Sequence, residues 1–352
     1  MYFREECHTH NFMNNPIVHE NKNITEHSTW MLFNLARNSV YRLRELELAQ
    51  FGLTVEQSTI LYLLISRGGS ATAKTIEYLT LRQHHSISTL INRMIKTHLV
   101  TRKKSPDNKK FEILITKHGE DLYKKVPIHS MEMLFSSLKV KDRERLYAYL
   151  DTLLEKARDL LGPTFIPPFL QYIDVENYGK KNHNEYDDNN NPTDFELWMV
   201  FNRTRNSVYR LRELELAQFD LTVEQSAILY LLISRGGSAT AKTIEYLTLR
   251  QHHSISTLIN RMINMHLVTR KKSLGSKKFE ILITEHGEDL YNKLPGRSIE
   301  MVFSPIKVKD RERFHAYLNT LLEKARELLG LSFAPPFLLK QSQESSVVTR
   351  PL

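Results

Sequence analysis

The chain has 352 residues, an apolar fraction of 41% and a formal net charge of +9. This length favours two domains, because one hydrophobic core rarely grows beyond about 250 to 300 residues. No apolar run approaches the roughly 18 residues of a membrane span, and no apolar signal-peptide core follows Met1. These features predict a soluble, cytoplasmic protein without a membrane partner. Cys7 is the only cysteine, which excludes an intrachain disulfide.

The positive charge is concentrated in two windows. Residues 67–117 carry eleven Lys or Arg against three acids, and residues 235–285 carry nine against three. The two windows together carry more net positive charge than the whole chain, so the remainder of the chain is net acidic. A localised excess of this kind attracts polyanions at long range, whereas an evenly spread one mostly promotes solubility. The distribution favours a nucleic-acid partner.

The second half of the chain repeats the first at a spacing of 168 residues, which aligns Trp30 with Trp198 without a gap. Between positions 37 and 105 only four residues differ from their partners. The repeat has the size of an independent domain and is too long for a solenoid, so it predicts a tandem duplication. The expected division is a flexible N-terminal arm (1–27), a first domain (28–172), a polar linker (173–194), a second domain (195–340) and a flexible tail (341–352).

Both repeats show the same predicted elements. In chain order, the first repeat has a helix at about 29–49, a helix capped by Thr54 and Gln57 that ends at 67, and helices at about 73–81 and 84–97. A hairpin of VTRKKS and KFEILIT follows. The repeat then has a helix capped by Thr116 and interrupted near Pro127, and a last helix that ends at Gly162. Helix, short turn, helix and hairpin is the order of a winged helix-turn-helix. The predicted fold class is mainly α with small β-hairpin wings.

The fourth helix has an apolar face and a polar face. Ile87, Leu90 or Ile91, and Met94 recur at helical spacing and should face the core. The opposite face has the short polar and bidentate side chains that suit base edges in the major groove. The predicted DNA contacts of the two recognition helices are Arg82, His84, His85, Ser86, Ser88, Thr89, Asn92 and Arg93, with Arg250, His252, His253, Ser254, Ser256, Thr257, Asn260 and Arg261. The alternative interpretation is an ordinary solvated helix face.

The hairpin that follows is strongly basic. Its chemistry suits phosphate neutralisation or insertion of a cation into the minor groove. The predicted wing contacts are Arg102, Lys103, Lys104, Lys109 and Lys110, with Arg270, Lys271, Lys272, Lys277 and Lys278. The alternative is an edge hairpin that lysines protect from aggregation. The second repeat replaces the PDN of the first tip by LGS, so the two wings are expected to grip differently.

These motifs resemble the MarR family of bacterial transcriptional regulators. The matching segments are LTVEQSTILYLL, SISTLINRM, HLVTRKKSPDNKK and ITKHGEDLY, and the resemblance extends over about 29–161 and 197–329. The first wing has Lys109 where the family usually has arginine, and the second has Gly275 in place of Asp107. The resemblance implies two winged helix-turn-helix domains that bind double-stranded DNA and regulate transcription.

Proteins of this family are typically homodimers with interleaved first and last helices, and this chain carries two such units. A linker of 22 residues spans at most about 70 Å, ample to join the units. The resemblance therefore implies a helical dimerisation region forming an intramolecular pseudo-dimer in a monomeric chain; association of two chains is the alternative. It also implies a site for a small aromatic ligand, for which Tyr41, Phe51, Tyr62 and Met94 are available, although such residues are more often plain core.

Other chemistries are poorly supported by the sequence. Cys7, His8 and His10 cluster in the N-terminal arm, but a metal site needs three or four ligands on a held backbone and this arm is expected to be flexible, so neither a metal nor another cofactor is expected. There is no glycine-rich phosphate loop, nucleophile elbow or paired-carboxylate framework, so an enzyme is not expected. The competing function is an architectural or sequence-tolerant DNA-binding or protein-interaction module without a ligand response.

Overall fold

The computed structural model describes residues 25–80, 82, 84–104, 111–162, 192–248, 250, 252–272 and 279–330. We call residues 25–162 the first repeat and residues 192–330 the second repeat. The helices of the first repeat are α1 (Glu26–Ala49), α2 (Val55–Ile65), α3 (Ala73–Thr80), α4 (His84–Lys96), α5 (Lys117–Lys124), α6 (His129–Phe135) and α7 (Val140–Leu161). Those of the second are α8 (Asp194–Leu216), α9 (Val223–Ser234), α10 (Ala241–Thr248), α11 (His252–Asn264), α12 (Glu285–Asn292), α13 (Arg297–Phe303) and α14 (Val308–Leu329).

The first helix of each repeat begins at a capping box. Thr25 accepts a hydrogen bond from the backbone N–H of Ser28, whose side chain accepts one from the backbone N–H of Thr25, so α1 starts three residues before the predicted Thr29. Thr193 and Glu196 make the same arrangement before α8. The end of the predicted arm and the last residue of the predicted linker therefore belong to helices. The helix start was predicted from the apolar stripe, which does not include the capping residues that precede it.

Each repeat contains a three-stranded antiparallel sheet. The strands are β1 (Ser70–Thr72), β2 (Val100–Lys104), β3 (Phe111–Ile115), β4 (Ser238–Thr240), β5 (Val268–Lys272) and β6 (Phe279–Ile283). The predicted hairpin is the β2–β3 pair, with Val100 opposite Ile115 and Lys104 opposite Phe111. The first strand, β1, was not predicted; it pairs with β3 and brings Ala71 opposite Ile113. A three-residue strand is too short to show a period-two pattern.

The core extends through both repeats because their first and last helices pack crosswise. Helix α1 packs against α14, and α8 packs against α7. The buried Phe33 ring meets Phe201 edge-on at 4.9 Å between centroids and Phe314 at 5.9 Å. Hydroxyl groups at the rim bond in reciprocal fashion: Tyr149 donates to Asp310 at 2.9 Å. In the same way, Tyr317 donates to Asp142 at 2.8 Å.

Several sequence predictions fall on residues that the structure does not describe. They are residues 1–24 of the arm, with Cys7, His8 and His10, residues 173–191 of the linker, the tail and both wing tips, which include Lys109, Lys110, Lys277 and Lys278. Among the described residues, no single helix is both long and apolar enough to cross a membrane. One pair of helices, 194–219 and 223–234, which meet at 82°, passes that length and composition test jointly.

Candidate nucleic-acid interface

The helices α4 and α11 each present a polar face outward from an apolar anchor. Ile87, Ile91 and Met94 have no exposed surface, which confirms the predicted core face. His84, His85, Ser86, Thr89, Asn92 and Arg93 are exposed and Ser88 is half-buried. On α11, His252, His253, Thr257, Asn260 and Arg261 are exposed, and Ser254 and Ser256 are half-buried. The anchor fixes the helix, so the polar face is presented in one orientation.

Arg82, the described residue before α4, is held by an ion pair. Its guanidinium lies 2.9 Å from the carboxylate of Glu56, which also accepts a hydrogen bond from the Tyr41 hydroxyl. Burial acts to raise the pKa of Glu56, but the charge of Arg82 and the Tyr41 hydrogen bond outweigh it and the pKa is lowered. Arg250 makes the same contact with Glu224 at 2.9 Å. These two arginines therefore fix the turn of the helix-turn-helix.

The first residue of each recognition helix is tied to the helix before it. Nδ1 of His84 lies 2.6 Å from the carboxylate of Glu77 on α3, although the imidazole is mostly exposed. His252 and Glu245 repeat the contact at 2.6 Å. The sequence analysis did not anticipate these partners, because only the helix-turn-helix crossing brings positions seven residues apart together. His84 remains accessible at the helix N-terminus, where an oxygen ligand would also meet unpaired backbone N–H groups.

The wing strand lies beside the recognition helix. Arg102 of β2 donates from Nη2 to Oδ1 of Asn92 at 3.4 Å, and its guanidinium lies 5.7 Å from the centre of the Phe111 ring. The second repeat has the same contacts at Arg270, Asn260 and Phe279. Lys103, Lys104, Lys271 and Lys272 are exposed. Arg102 thus joins the helix and the wing into one surface.

The surface formed by α4 and β2, and its counterpart formed by α11 and β5, are basic. Glu56 and Glu77 are engaged by Arg82 and His84, whereas Arg93 forms no ion pair with any residue in the described ranges. A depression at the base of α4 is lined by Thr54, Glu56, Gln57, Arg82, His85, Ser86, Thr89, Leu90 and Arg93. This arrangement can accept a polyanion along the exposed face, because the two acids are already paired with Arg82 and His84.

The predicted ligand residues are not all in one place. Tyr41 lines a cavity between the winged part of the first repeat and α8, together with Arg37, Asn202 and Arg203. Met94 is fully buried in the core and Phe51 packs against that core. The Tyr62 ring lies against Phe195, 4.5 Å away between centroids. Of the four, Tyr41 alone is among the residues that line this cavity.

The equivalent cavity of the second repeat is lined largely by the corresponding residues, with Tyr209 in the place of Tyr41. It extends further, to His27 and Trp30. Nε2 of His27 lies 3.0 Å from the Tyr291 hydroxyl. Desolvation, and to a lesser extent the charge of Arg212, lowers the pKa of the imidazole to about 4. Position 27 corresponds to Phe195 in the other repeat. The described residues contain no group of three His, Cys, Asp or Glu side chains that could hold a metal.

A family comparison adds to this geometry. Residues 51–110 match the MarR family. The MarR family segment comprises α2, β1, α3, α4 and most of the wing, so it contains the polar helix face and the strand β2. Residues 219–278 repeat this segment with seven substitutions. MarR family members are transcriptional regulators.

Three solved structures are similar to parts of the chain. An organohalide-sensing transcriptional regulator bound to 2,4-dichlorophenol is 24% identical, with 38% of this chain and 85% of that chain covered and a TM-score of 0.34. A MepR-like protein complexed with pseudoligands is 26% identical, with 28% and 71% covered and a TM-score of 0.25. Apo wild-type MarR from E. coli is 16% identical, with 33% and 87% covered and a TM-score of 0.28. Comparison with curated proteins gives no match.

Proposed function

We propose that this chain is a DNA-binding transcriptional regulator of the MarR type that reads duplex DNA with two recognition helices. The observation that carries the proposal is the exposed polar face of α4, repeated on α11, set on an anchor of fully buried side chains. A fixed helix with Ser, Thr, Asn and Arg pointing outward meets the donor and acceptor pattern of the major groove. The MarR family match over 51–110 supports the same function.

The wings supply backbone contacts in this proposal. Lys103, Lys104 and their counterparts Lys271 and Lys272 extend the basic surface away from the recognition helices. Cations at this position neutralise phosphates or enter the minor groove. The contacts with phosphate set the position of each winged domain, and those of α4 and α11 select the sequence.

One chain forms the complete DNA-binding unit, as an intramolecular pseudo-dimer of two winged helix-turn-helix domains. The crosswise packing of α1 on α14 and of α8 on α7 supports this arrangement, since each repeat contributes helices to the apolar surface of the other. Covalent linkage replaces a concentration-dependent association by an effective concentration near the millimolar range. Two winged domains related by a near-twofold axis read a near-palindromic site whose half-sites lie about 34 to 36 Å apart.

A small aromatic ligand bound beside the winged domain would modulate this activity. The cavity of the first repeat is lined by Tyr41, Glu56 and Arg82, which are the residues that fix the start of α4. A ligand bound in this cavity would contact the hydrogen-bonded network that holds Arg82 and would thereby change the orientation of the recognition helix.

The experiment that tests the proposal separates backbone contacts from base contacts. Arg93→Ala should weaken binding to all duplexes and reduce the slope of log K against log salt by about 1. Thr89→Ala should change the preferred base at one position with little effect on that slope. Competition with a random-sequence duplex provides the second measurement, and a regulator should discriminate by about 10³ or more. A salt slope near zero would exclude phosphate neutralisation, and a ratio near one would favour the architectural module.

A further inference from the structure

Two asparagines on the first helices reach into the helix-turn-helix of the opposite repeat. Asn38 on α1 donates from Nδ2 to the carbonyl of Thr248, 3.3 Å away at the end of α10. Asn206 on α8 donates to the carbonyl of Thr80, 3.4 Å away at the end of α3. Carbonyls in the last turn of a helix have no partner within the helix. Each asparagine therefore caps a helix that belongs to the other repeat.

The capped carbonyl stands next to the turn that leads into the recognition helix. Thr80 is two residues before Arg82, whose side chain pairs with Glu56 of its own repeat. The turn of the first repeat is thus held on one side by Asn206 from α8 and on the other by Glu56 from α2. The second repeat is arranged in the same way, with Asn38 and Glu224 on the two sides.

A second pair of contacts fixes the crossing of α1 and α8 from which the asparagines project. Arg37 donates from Nε to Oδ1 of Asn202 at 3.3 Å. Arg205 donates from Nε to Oδ1 of Asn34 at 3.2 Å. The guanidinium of Arg37 also lies 4.2 Å from the centre of the Tyr41 ring. The two helices are therefore held in register, and a rotation of one would move both asparagines.

We propose that Asn38 and Asn206 are positioning residues that hold each recognition helix from the opposite repeat. Their effect is crossed: Asn206 orients α4, and Asn38 orients α11. The consequence for DNA rests on the function proposed above, because contact made by one recognition helix is transmitted through the α1–α8 crossing to the other. The positioning itself concerns the free protein and can be measured without DNA.

Nitroxide spectra of spin-labelled full-length chains test the crossed effect. Cys7→Ser first removes the native thiol, and the label is then attached through His85→Cys in one protein and through His253→Cys in another, both at exposed positions. The labelled sites distinguish the repeats, whose sequences around the turn are identical. Removing one neutral hydrogen bond should raise the mobile fraction of the spectrum by about 2- to 10-fold. Asn206→Ala should do so for the label at 85 alone, and Asn38→Ala for the label at 253 alone.

Three comparisons make the result decisive. Asn292→Ala, an exposed asparagine at the end of α12, should change neither spectrum. Asn38→Asp and Asn206→Asp keep the side-chain shape but cannot donate, so they should reproduce the crossed pattern if an alanine variant folds poorly. An effect on the label of the same repeat, on both labels equally, or on neither overturns the proposal. Failure to bind DNA would refute the proposed function and leave the crossed spectra unaffected.

Discussion

A buried ion pair on α1 provides a sharp stability prediction. The side chains of Arg44 and Glu47 are each 2% exposed, and their charged atoms lie 2.5 Å apart. The Glu47 carboxylate also accepts hydrogen bonds from the backbone N–H of Ser130 at 2.9 Å and from the Ser130 hydroxyl. Arg44 donates in addition to the Pro127 carbonyl at 2.6 Å. The cluster joins α1 to the start of α6.

Glu47→Ala should lower the free energy of unfolding by about 3 to 5 kcal/mol, because it leaves the Arg44 charge buried without a carboxylate partner. The two donors of Ser130 lose their acceptor as well, which places the expected loss in the upper part of that range. The same helix contains a matched control. Arg42 and Glu45 have the same spacing and the same 2.5 Å distance, but their side chains are 28% and 40% exposed. Glu45→Ala should therefore cost about 1 kcal/mol or less.

Urea unfolding followed by far-ultraviolet circular dichroism measures both variants. The shift of the midpoint, multiplied by an unchanged m value, gives the loss of stability. Equal losses for Glu47→Ala and Glu45→Ala would refute the argument, because burial and the contacts with Ser130 and Pro127 distinguish the first pair from the second. A loss below about 1 kcal/mol for Glu47→Ala would show that the cluster is open to water in solution.

Two further substitutions test other features of the fold. A Cβ atom at Gly119 would lie 2.2 Å from the Leu99 carbonyl oxygen, so Gly119→Ala should destabilise the chain by at least about 1 to 3 kcal/mol in the same urea assay. The control is Gly68→Ala, which should cost less, because the space around Gly68 is open and only its φ of +76° is strained. His27 is half-buried and its pKa is lowered to about 4, so the unfolded chain takes up its proton first and stability is lost as pH falls from 6.5 towards 4. His27→Phe, which introduces the residue found at position 195, should remove that part of the pH dependence, and an unchanged dependence would contradict the desolvation of the imidazole.

Local elements could be predicted from the sequence where a short-range pattern specifies them. The capping box of Thr54 and Gln57 is present, with hydrogen bonds of 3.2 and 2.9 Å, and Thr116 caps α5 through the N–H of Gly119. These interactions join positions three residues apart, so the chain itself brings the partners together. The apolar face of α4 was predictable for the same reason, since helical spacing alone places its buried residues on one side.

The site was only partly predictable because its supporting contacts are long-range. Arg82 was expected to contact DNA directly, and its ion pair with Glu56, 26 positions earlier, has no signature in the sequence. Asn38 and Thr248 are 210 positions apart, so their contact depends on how the two repeats pack. Polar residues on a helix that also has a wide apolar face are ordinarily solvated, so the sequence does not distinguish these asparagines from surface residues.

The most direct test of the central proposal is the footprint of one chain on a selected duplex, combined with the mass of the complex in solution. We expect one chain per duplex and two patches of hydroxyl-radical protection about 10 base pairs apart on one face of the DNA, one for each recognition helix. Arg261→Ala should weaken this protection in both patches, because α4 and α11 present the same outward side chains and the chain can bind a near-palindromic site in either orientation. The account would be contradicted by two chains per duplex or by a single patch of protection. It would also be contradicted if a random-sequence competitor duplex removed the protection as effectively as the unlabelled selected duplex does.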